Sequence, residues 1–375
     1  MTVQGDVASG FGAVADAFAG CVADDAPGAA FCAVVDGQVV ADLWAGTRDE
    51  RGRPWEADTA CLVASGTKGV VATAMAMLLE RDLLELDAAV SRYWPEFAAA
   101  GKEGVRVADV VAHTAGLPGV VAPLSVEDLR DPPRIEALLA AQEPMVPIGE
   151  PTYHALTYGW LCDALVRRVD GRTVGRFVAD EIAGPLELDL SIGTPPERAA
   201  RAAEMRQAAN FALAAFLGEG PPDPRLAYVY GNPPVLRLRE PEMLALEVPG
   251  ANCVATARAL AGLYGCLARG GELDGVRILA PETVELARRP LSEGHDPLSG
   301  RLLRFGVGFE LAPNPSELGP EADAFGHTGS GGSSHGAWPA RRTGFSFVIS
   351  EMRPENDDGR AGRVLRALQG ALDID

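Results

Sequence analysis

The 375-residue sequence predicts an α/β (α+β) fold, in which helices flank an antiparallel sheet and a mainly helical domain is inserted. Strand patterns occur near both ends of the chain, whereas helical patterns dominate its middle. The length is enough for two to three average domains. We therefore expect a sheet domain formed by residues 1–85 and 286–375, and an inserted domain with lid-like loops over residues 86–285.

Residue spacing and turn chemistry predict the N-terminal elements. Apolar residues first recur at helical spacing, and two apolar, β-branched runs then flank the turn-forming Asp36-Gly37-Gln38. The residues after Lys68 are apolar on nearly all sides of a helix, which predicts a buried helix. The predicted elements are a helix over residues 7–22, a turn over 24–28, strands over 29–35 and 39–45, and a buried helix that ends near Glu80.

The rest of the chain is helical in its middle and returns to strands near its end. The predicted helices cover residues 107–113, 134–142, 158–169, 256–267 and 360–372, and the predicted strands cover residues 305–311, 334–338 and 344–352. Between them, residues 201–249 are irregular and rich in proline. Irregular stretches of this length are usually functional, so we expect a wall of the active site there.

Composition and charge exclude several classes of partner. Lys and Arg total 33 against 52 Asp and Glu, and the resulting net charge of −19 disfavours nucleic acid. The longest charge-free apolar stretch, residues 69–79, is about half of the ~20 residues that a membrane span requires. The first basic side chain is Arg48, so the N-terminal residues do not show the positively charged region of a secretory signal. We expect a cytoplasmic protein without membrane or nucleic-acid partners, and its oligomeric state stays open.

The cysteines and histidines are not spaced for metal or redox chemistry. The six cysteines are scattered in mostly apolar surroundings without a CxxC pair, which predicts reduced core thiols. The five histidines never occur at HExxH or a similar spacing, and no Walker-type loop or dinucleotide glycine fingerprint is present. We therefore expect neither a metal nor a cofactor.

The chemistry that the sequence does indicate begins at Ser65 and Lys68. A serine and a lysine three residues apart on a helix project from the same face, close enough for the amine to contact the hydroxyl. A hydroxyl is a weak nucleophile until a base accepts its proton, and burial can lower the pKa of a lysine towards neutrality. Alternatively, Ser65 caps the helix and Lys68 is a solvated residue of the first turn.

Four sequence boxes, in this order, resemble the serine β-lactamase and penicillin-binding-protein superfamily, specifically its class C-like family VIII carboxylesterase branch. They are Ser65-Gly66-Thr67-Lys68, His113-Thr114-Ala115-Gly116-Leu117-Pro118, Tyr153-His154-Ala155-Leu156-Thr157-Tyr158-Gly159-Trp160 and His327-Thr328-Gly329-Ser330-Gly331-Gly332. The first is the nucleophile motif of this family, and the last has His-Thr-Gly where many relatives have Lys-Thr-Gly. The resemblance implies a β-lactamase-like fold.

The resemblance also implies roles for individual residues. Ser65 is the nucleophile, Lys68 its activating partner and Tyr153 the proton shuttle, with a phenol pKa that the nearby ammonium lowers. Tyr158 is the alternative to Tyr153. The backbone N–H groups of Ser65 and Ser330 form the oxyanion hole. The residues expected to contact substrate are His327, Thr328, Gly329 and Trp338.

Two departures from the family favour uncharged esters over lactams. Relatives that process lactams have Tyr-x-Asn, where this chain has Ala155. His327 replaces a lysine and is mostly neutral at pH 7, which weakens an anchor for a substrate carboxylate, although it can also be a strand residue without substrate contact. We interpret His113 as structural. The aromatic residues that could line an acyl pocket, or simply belong to the core, are Trp160, Tyr228, Tyr230 and Trp338.

A second serine motif, Gly332-Ser333-Ser334-His335-Gly336, matches the G-x-S-x-G elbow of α/β-hydrolases. That elbow requires a strand before the serine and a helix after it, whereas a strand pattern follows Ser334. We therefore expect Ser334 not to be the nucleophile.

The predicted protein is a serine hydrolase that cleaves small carboxylic esters through an acyl-Ser65 intermediate. The alternatives are an acyltransferase that acts on a larger metabolite, a non-catalytic binding protein, and a β-lactamase or D-alanyl peptidase.

Overall fold

A computed structural model describes residues 3–22, 27–211, 222–232, 237, 239–312, 317–354 and 359–374. The predicted turn over residues 24–28 and the predicted irregular stretch over residues 201–249 lie partly outside the described residues. The helices are α1 (Gly12–Ala19), α2 (Thr67–Glu80), α3 (Val107–Val111), α4 (Pro132–Ala141), α5 (Thr157–Val169), α6 (Val174–Val178), α7 (Pro196–Ala199), α8 (Leu226–Tyr230), α9 (Pro241–Leu244), α10 (Ala257–Ala268), α11 (Pro281–Ala287) and α12 (Arg360–Leu372).

The strands are β1 (Gln4–Val7), β2 (Ala29–Val35), β3 (Gln38–Ala45), β4 (Cys61–Leu62), β5 (Leu190–Ser191), β6 (Arg206–Gln207), β7 (Val254–Ala255), β8 (Glu272–Leu273), β9 (Val276–Arg277), β10 (Ser292–His295), β11 (Leu302–Phe305), β12 (Glu310–Leu311), β13 (Phe325–Gly329), β14 (Ser333–Trp338), β15 (Thr343–Ile349) and β16 (Glu351–Met352). Nine of them form one sheet in the order β1-β3-β2-β15-β14-β13-β12-β11-β10. Every neighbouring pair in this sheet is antiparallel. The predicted hairpin is present as β2 and β3, with β15 on the other side of β2.

Each face of the sheet covers a separate hydrophobic core. On one face, α1 and α12 pack together over a core that includes Phe18, Phe347 and Leu365. On the other face lie α2 and α10, and the larger core there continues into the helical region. Side chains alternate along β14, so Ala337 faces the larger core and Trp338 faces the α1–α12 core.

Helix α10 contacts the large sheet directly. The predicted boundary at residue 285 assigns α10 to the inserted domain, but α10 packs directly on β2, β14 and β15. Its apolar face resembles that of any buried helix, and only the long-range packing shows that it belongs to the sheet layer. The N-terminal helix is shorter than the predicted 7–22: residue 7 ends β1 at the edge of the sheet, residues 9 and 10 form a turn, and α1 covers only Gly12–Ala19.

Two further observations concern the chain as a whole. The six cysteines are all buried and none forms a disulfide, as the sequence predicts. Within the described residues, we find no helix that is both long enough and apolar enough to span a bilayer.

Candidate active site

Ser65 lies in a strained turn between β4 and α2. The turn is a single 3-10 turn, Ala64–Gly66, and Ala64 adopts a left-handed conformation with φ of 45°. A non-glycine residue held in this region costs of order 1–3 kcal/mol and persists only where the surrounding structure fixes it. Thr67 supplies part of that fixation, because its hydroxyl donates to Ala64 O at 2.6 Å and accepts the Cys253 N–H at 2.8 Å.

Two glycines let α2 approach its neighbours closely enough to place this turn. A Cβ at Gly66 would lie 2.5 Å from the His335 ring on β14. A Cβ at Gly69 would lie 2.0 Å from the Tyr264 hydroxyl on α10. Both contacts are shorter than real Cβ atoms make, so the glycines are required by packing. They seat the first turn of α2, and with it Ser65 and Lys68, against the sheet.

Lys68 contacts both Ser65 and the inserted region. Its Nζ lies 3.1 Å from Ser65 Oγ and donates to Gly250 O at 2.7 Å. The side chain is fully buried, and this burial lowers the pKa of Lys68 from 10.5 to about 7, although the Glu310 carboxylate partly opposes the shift. The expectation that burial lowers this pKa towards neutrality is confirmed. About half of the Lys68 side chains are therefore neutral near pH 7 and able to accept a proton.

Tyr153 lies beside this pair, in the loop before α5. The Lys68 ammonium is 4.9 Å from the centre of the Tyr153 ring, and Tyr153 lines a pocket together with Ser65. The predicted lowering of the phenol pKa is wrong. Burial and the Glu310 carboxylate raise the pKa of Tyr153 well above 10, and hydrogen bonding with Ser65 only partly opposes them. Tyr153 is therefore a neutral phenol, able to donate a proton.

The remaining predicted site residues separate into two groups. Thr328 and Ser330 line the pocket with Ser65 and Tyr153. Gly329 lies against the turn that carries Ser65, because a Cβ there would lie 2.4 Å from Val63 O. Ser65 is in the first turn of a helical segment, where N–H groups have no partner within the segment.

His327 and Trp338 do not line the pocket. The His327 side chain is 1% exposed, and its Nδ1 lies 2.8 Å from Thr328 O. Burial and the Lys68 charge lower its pKa well below 6.5, so the imidazole is neutral. Trp338 is fully buried in the α1–α12 core, and its indole N–H donates to Leu318 O. This placement corrects the expected substrate contact of Trp338.

The other candidate aromatics and the second serine motif are also located by the structure. Tyr230 on α8 lines the pocket, whereas Trp160 is buried in the larger core and Tyr228 is exposed. Ser334 lies within β14, where its hydroxyl donates to Glu317 O. A nucleophile elbow places its serine in a turn between a strand and a helix, whereas Ser334 lies inside a strand.

Sequence reasoning missed two charged residues of the pocket, Glu310 and Arg301. Glu310 on β12 is 4% exposed, and one of its oxygens accepts the Thr328 N–H at 2.8 Å and the Thr328 hydroxyl at 3.0 Å. A single carboxylate between Phe309 and Leu311 in an apolar strand was the signal that could have identified it.

An apolar wall stands on the Tyr153 side of the pocket. Ala155 belongs to a small cluster with Leu226 and Val229 of α8, against which Tyr153 and Tyr230 pack. Part of the irregular stretch thus reaches the site, as expected. Among the described residues, no group of three or more His, Cys, Asp or Glu side chains is placed to hold a metal ion.

Comparison with known proteins identifies the family. The model of the Beta-lactamase family matches residues 14–369, nearly the whole chain. The chain belongs to the Beta-lactamase family. Among curated members, it is similar to Esterase/beta-lactamase LipL of Mycobacterium tuberculosis, with 38% identity over 338 residues that cover 87% of this chain and 77% of that protein.

Two solved structures match nearly the whole chain. One is the crystal structure of a family VIII carboxylesterase, and another is that of a novel penicillin-binding protein homolog from Caulobacter crescentus. Each is 34% identical, covers 99% of this chain and 100% of its own, and gives a TM-score of 0.91. The predicted family and fold class are thereby confirmed.

Proposed function

We propose that the protein is a serine esterase that cleaves small carboxylic esters through an acyl-Ser65 intermediate. The observation that carries the proposal is the 3.1 Å contact between Lys68 Nζ and Ser65 Oγ, with the pKa of this buried lysine lowered to about 7. A serine whose hydroxyl contacts a partly neutral amine is an activated nucleophile. The names of the esterase and carboxylesterase relatives support the same reaction class.

In the proposed mechanism, neutral Lys68 accepts the Ser65 proton as Oγ attacks the ester carbonyl carbon. The N–H groups of Ser65 and Ser330 donate to the oxyanion, where preorganised donors are worth ~2.7–4 kcal/mol each. When the bond to the alcohol breaks, the neutral Tyr153 phenol donates a proton to the leaving oxygen, and the proton held by Lys68 restores the phenol. Water then attacks the acyl-enzyme through the same groups and releases the acid.

The pocket favours uncharged substrates. The residue that replaces the lysine of many relatives, His327, is neutral, and Glu310 adds a carboxylate close to Tyr153. The apolar wall around Ala155 offers van der Waals contact to a hydrocarbon group but no hydrogen bond from a side-chain amide. The charged side chains that line the pocket, Arg301 and Glu310, have opposite signs, so the pocket supplies no net positive charge for the carboxylate of a β-lactam or a D-alanyl peptide. The six buried cysteines, which form no disulfide, support a reducing compartment such as the cytoplasm.

An acyltransferase is the second candidate, because an alcohol or amine can replace water in the last step. The apolar wall on the Tyr153 side favours this possibility, since it can bind the hydrocarbon part of an acceptor near the acyl group. Water and the acceptor compete for the same acyl-Ser65, so product partition distinguishes the two functions.

The test mixes the protein with p-nitrophenyl butyrate and measures both phenol release and the intact protein mass. We expect Ser65→Ala to reduce release by more than about 10³-fold and to abolish a butyryl adduct. Ser334→Ala, the control for the second serine motif, should retain activity. Equal release by wild type and Ser65→Ala would refute the mechanism. A persistent adduct that added alcohol discharges would favour the acyltransferase, and rapid nitrocefin hydrolysis would favour the β-lactamase.

A further inference from the structure

His113 contacts Tyr153 in a way that its sequence position does not suggest. It follows α3, forty residues before Tyr153, and is completely buried. Its φ of 60° is left-handed, a conformation that is uncommon for a residue with a side chain. Such local strain persists where surrounding contacts fix the residue, and at His113 those contacts converge on the loop that carries Tyr153.

Hydrogen bonds join His113 to the residues on both sides of Tyr153. The Thr152 N–H donates to His113 O at 3.0 Å, and the His154 N–H donates to His113 Nδ1 at 3.0 Å. Tyr153 precedes α5, so no helix or strand holds it in place. Its own N–H donates to Asp296 at 3.1 Å. The two hydrogen bonds that His113 accepts therefore fix the backbone on both sides of Tyr153, and with it the direction of the Tyr153 side chain.

The ring of His113 also supports the ring of Tyr153. Their centres are 5.2 Å apart with an angle of 20° between the planes, and Tyr158 stacks on His113 at 4.9 Å and 15°. Stacked rings at these separations attract one another. Because His113 Nδ1 accepts a hydrogen bond and burial lowers its pKa well below 6.5, the ring is neutral with its proton on Nε2.

We propose that His113 is a positioning residue that aims the Tyr153 hydroxyl at the leaving-group oxygen, by stacking on the phenol and by holding the peptide units on both of its sides. This inference rests on the proposed function, in which Tyr153 protonates the leaving alcohol. Tyr158 also stacks on the His113 ring, but it is Tyr153 that lines the pocket.

Leaving groups of different basicity separate this role from a merely structural one. p-Nitrophenolate leaves without protonation, whereas the alkoxide of ethyl butyrate must receive a proton. Proton transfer by a positioned side chain contributes about 10²–10⁴-fold. A misplaced Tyr153 therefore slows cleavage of the alkyl ester selectively, while general damage to the fold slows both reactions equally.

The experiment measures kcat/KM, which reports acylation, for p-nitrophenyl butyrate and ethyl butyrate. His113→Asn removes the ring but retains an acceptor and tolerates the left-handed backbone. We expect a loss of about 10–100-fold on ethyl butyrate and less than about threefold on p-nitrophenyl butyrate. His295→Asn, at an exposed histidine on β10, is the matched control and should change neither rate.

A double variant completes the test. If His113 acts through Tyr153, adding His113→Asn to Tyr153→Phe should cause no further loss on ethyl butyrate. Equal losses on both esters, unchanged rates, or an additive double variant would overturn the inference. If His113→Asn does not fold, the same ratio is measured with His113→Phe, which retains the ring and removes the acceptor. Activity that survives in Ser65→Ala would instead refute the proposed function.

Discussion

The lowered pKa of Lys68 has a consequence for stability that can be measured without substrate. Burial lowers this pKa from 10.5 to about 7 in the folded protein, whereas the unfolded chain restores the ordinary value. Between these two values the unfolded state binds more protons than the folded state. The free energy of unfolding therefore rises with pH between about 7 and 10.5, and this contribution is lost as the pH falls towards 7.

Substituting Lys68 with methionine removes this titration while retaining an unbranched side chain of similar length. With the two pKa values above, linkage predicts that Lys68 penalises folding by about 3 kcal/mol more at pH 6 than at pH 9. The stability of Lys68→Met relative to wild type should thus be higher at pH 6 than at pH 9 by about this amount. The variant should also be inactive.

Urea unfolding of both proteins at pH 6 and pH 9 gives the required four free energies. Other groups that titrate in this range are common to both proteins, so they cancel in the double difference. A double difference near zero would mean that Lys68 keeps an ordinary pKa in the folded protein. That result would refute the claim that burial makes it a base.

Three further predictions concern the environment of Lys68. The kcat/KM for p-nitrophenyl butyrate should be half-maximal at pH about 7 and about tenfold below its plateau at pH 6. Glu310→Gln should shift this acid limb to lower pH, because the carboxylate raises the Lys68 pKa, and an unchanged limb would contradict that reasoning. Gly159→Ala places a Cβ 2.0 Å from Gly250 N, so it should displace the acceptor of Lys68 and reduce kcat by at least about tenfold. Its control is Gly370→Ala on α12, where an added Cβ has nothing within 4 Å. This control should keep full activity and raise the free energy of unfolding in urea by about 0.5–1 kcal/mol. Equal activity of the two variants would refute the expected loss in Gly159→Ala.

The elements that the sequence predicts well are those with strong local patterns. The hairpin of β2 and β3 and the buried helix α2 carry their apolar periodicity in consecutive residues. By contrast, β10 and β13 contain glycine and polar residues without alternation, and only pairing with neighbouring strands makes them strands. Local sequence patterns thus identify helices and strands whose own residues are apolar at regular spacing. They miss strands that form only through pairing with neighbouring strands.

The same distinction applies to the site. Ser65 and Lys68 are three residues apart, so helix geometry alone predicts their contact. Glu310 and His113 reach Tyr153 only through the folded chain, from β12 and from the end of α3. Contacts over such sequence distances have no local signature, and a residue that acts through them resembles an ordinary core residue until the structure is known.

Burial explains both why the predicted phenolate is wrong and why the site can work near neutral pH. A charged neighbour stabilises the opposite charge, but a dry pocket penalises every charge, and for Tyr153 the second effect is larger. The same penalty lowers the pKa of Lys68. One physical cause therefore produces a neutral amine that can accept the Ser65 proton and a neutral phenol that can donate to the leaving group. If Tyr153 were instead the phenolate and Lys68 the ammonium, Tyr153 would accept the Ser65 proton and Lys68 would protonate the leaving group. The dependence of the rate on leaving-group basicity would then change when Lys68 is substituted, rather than when Tyr153 is.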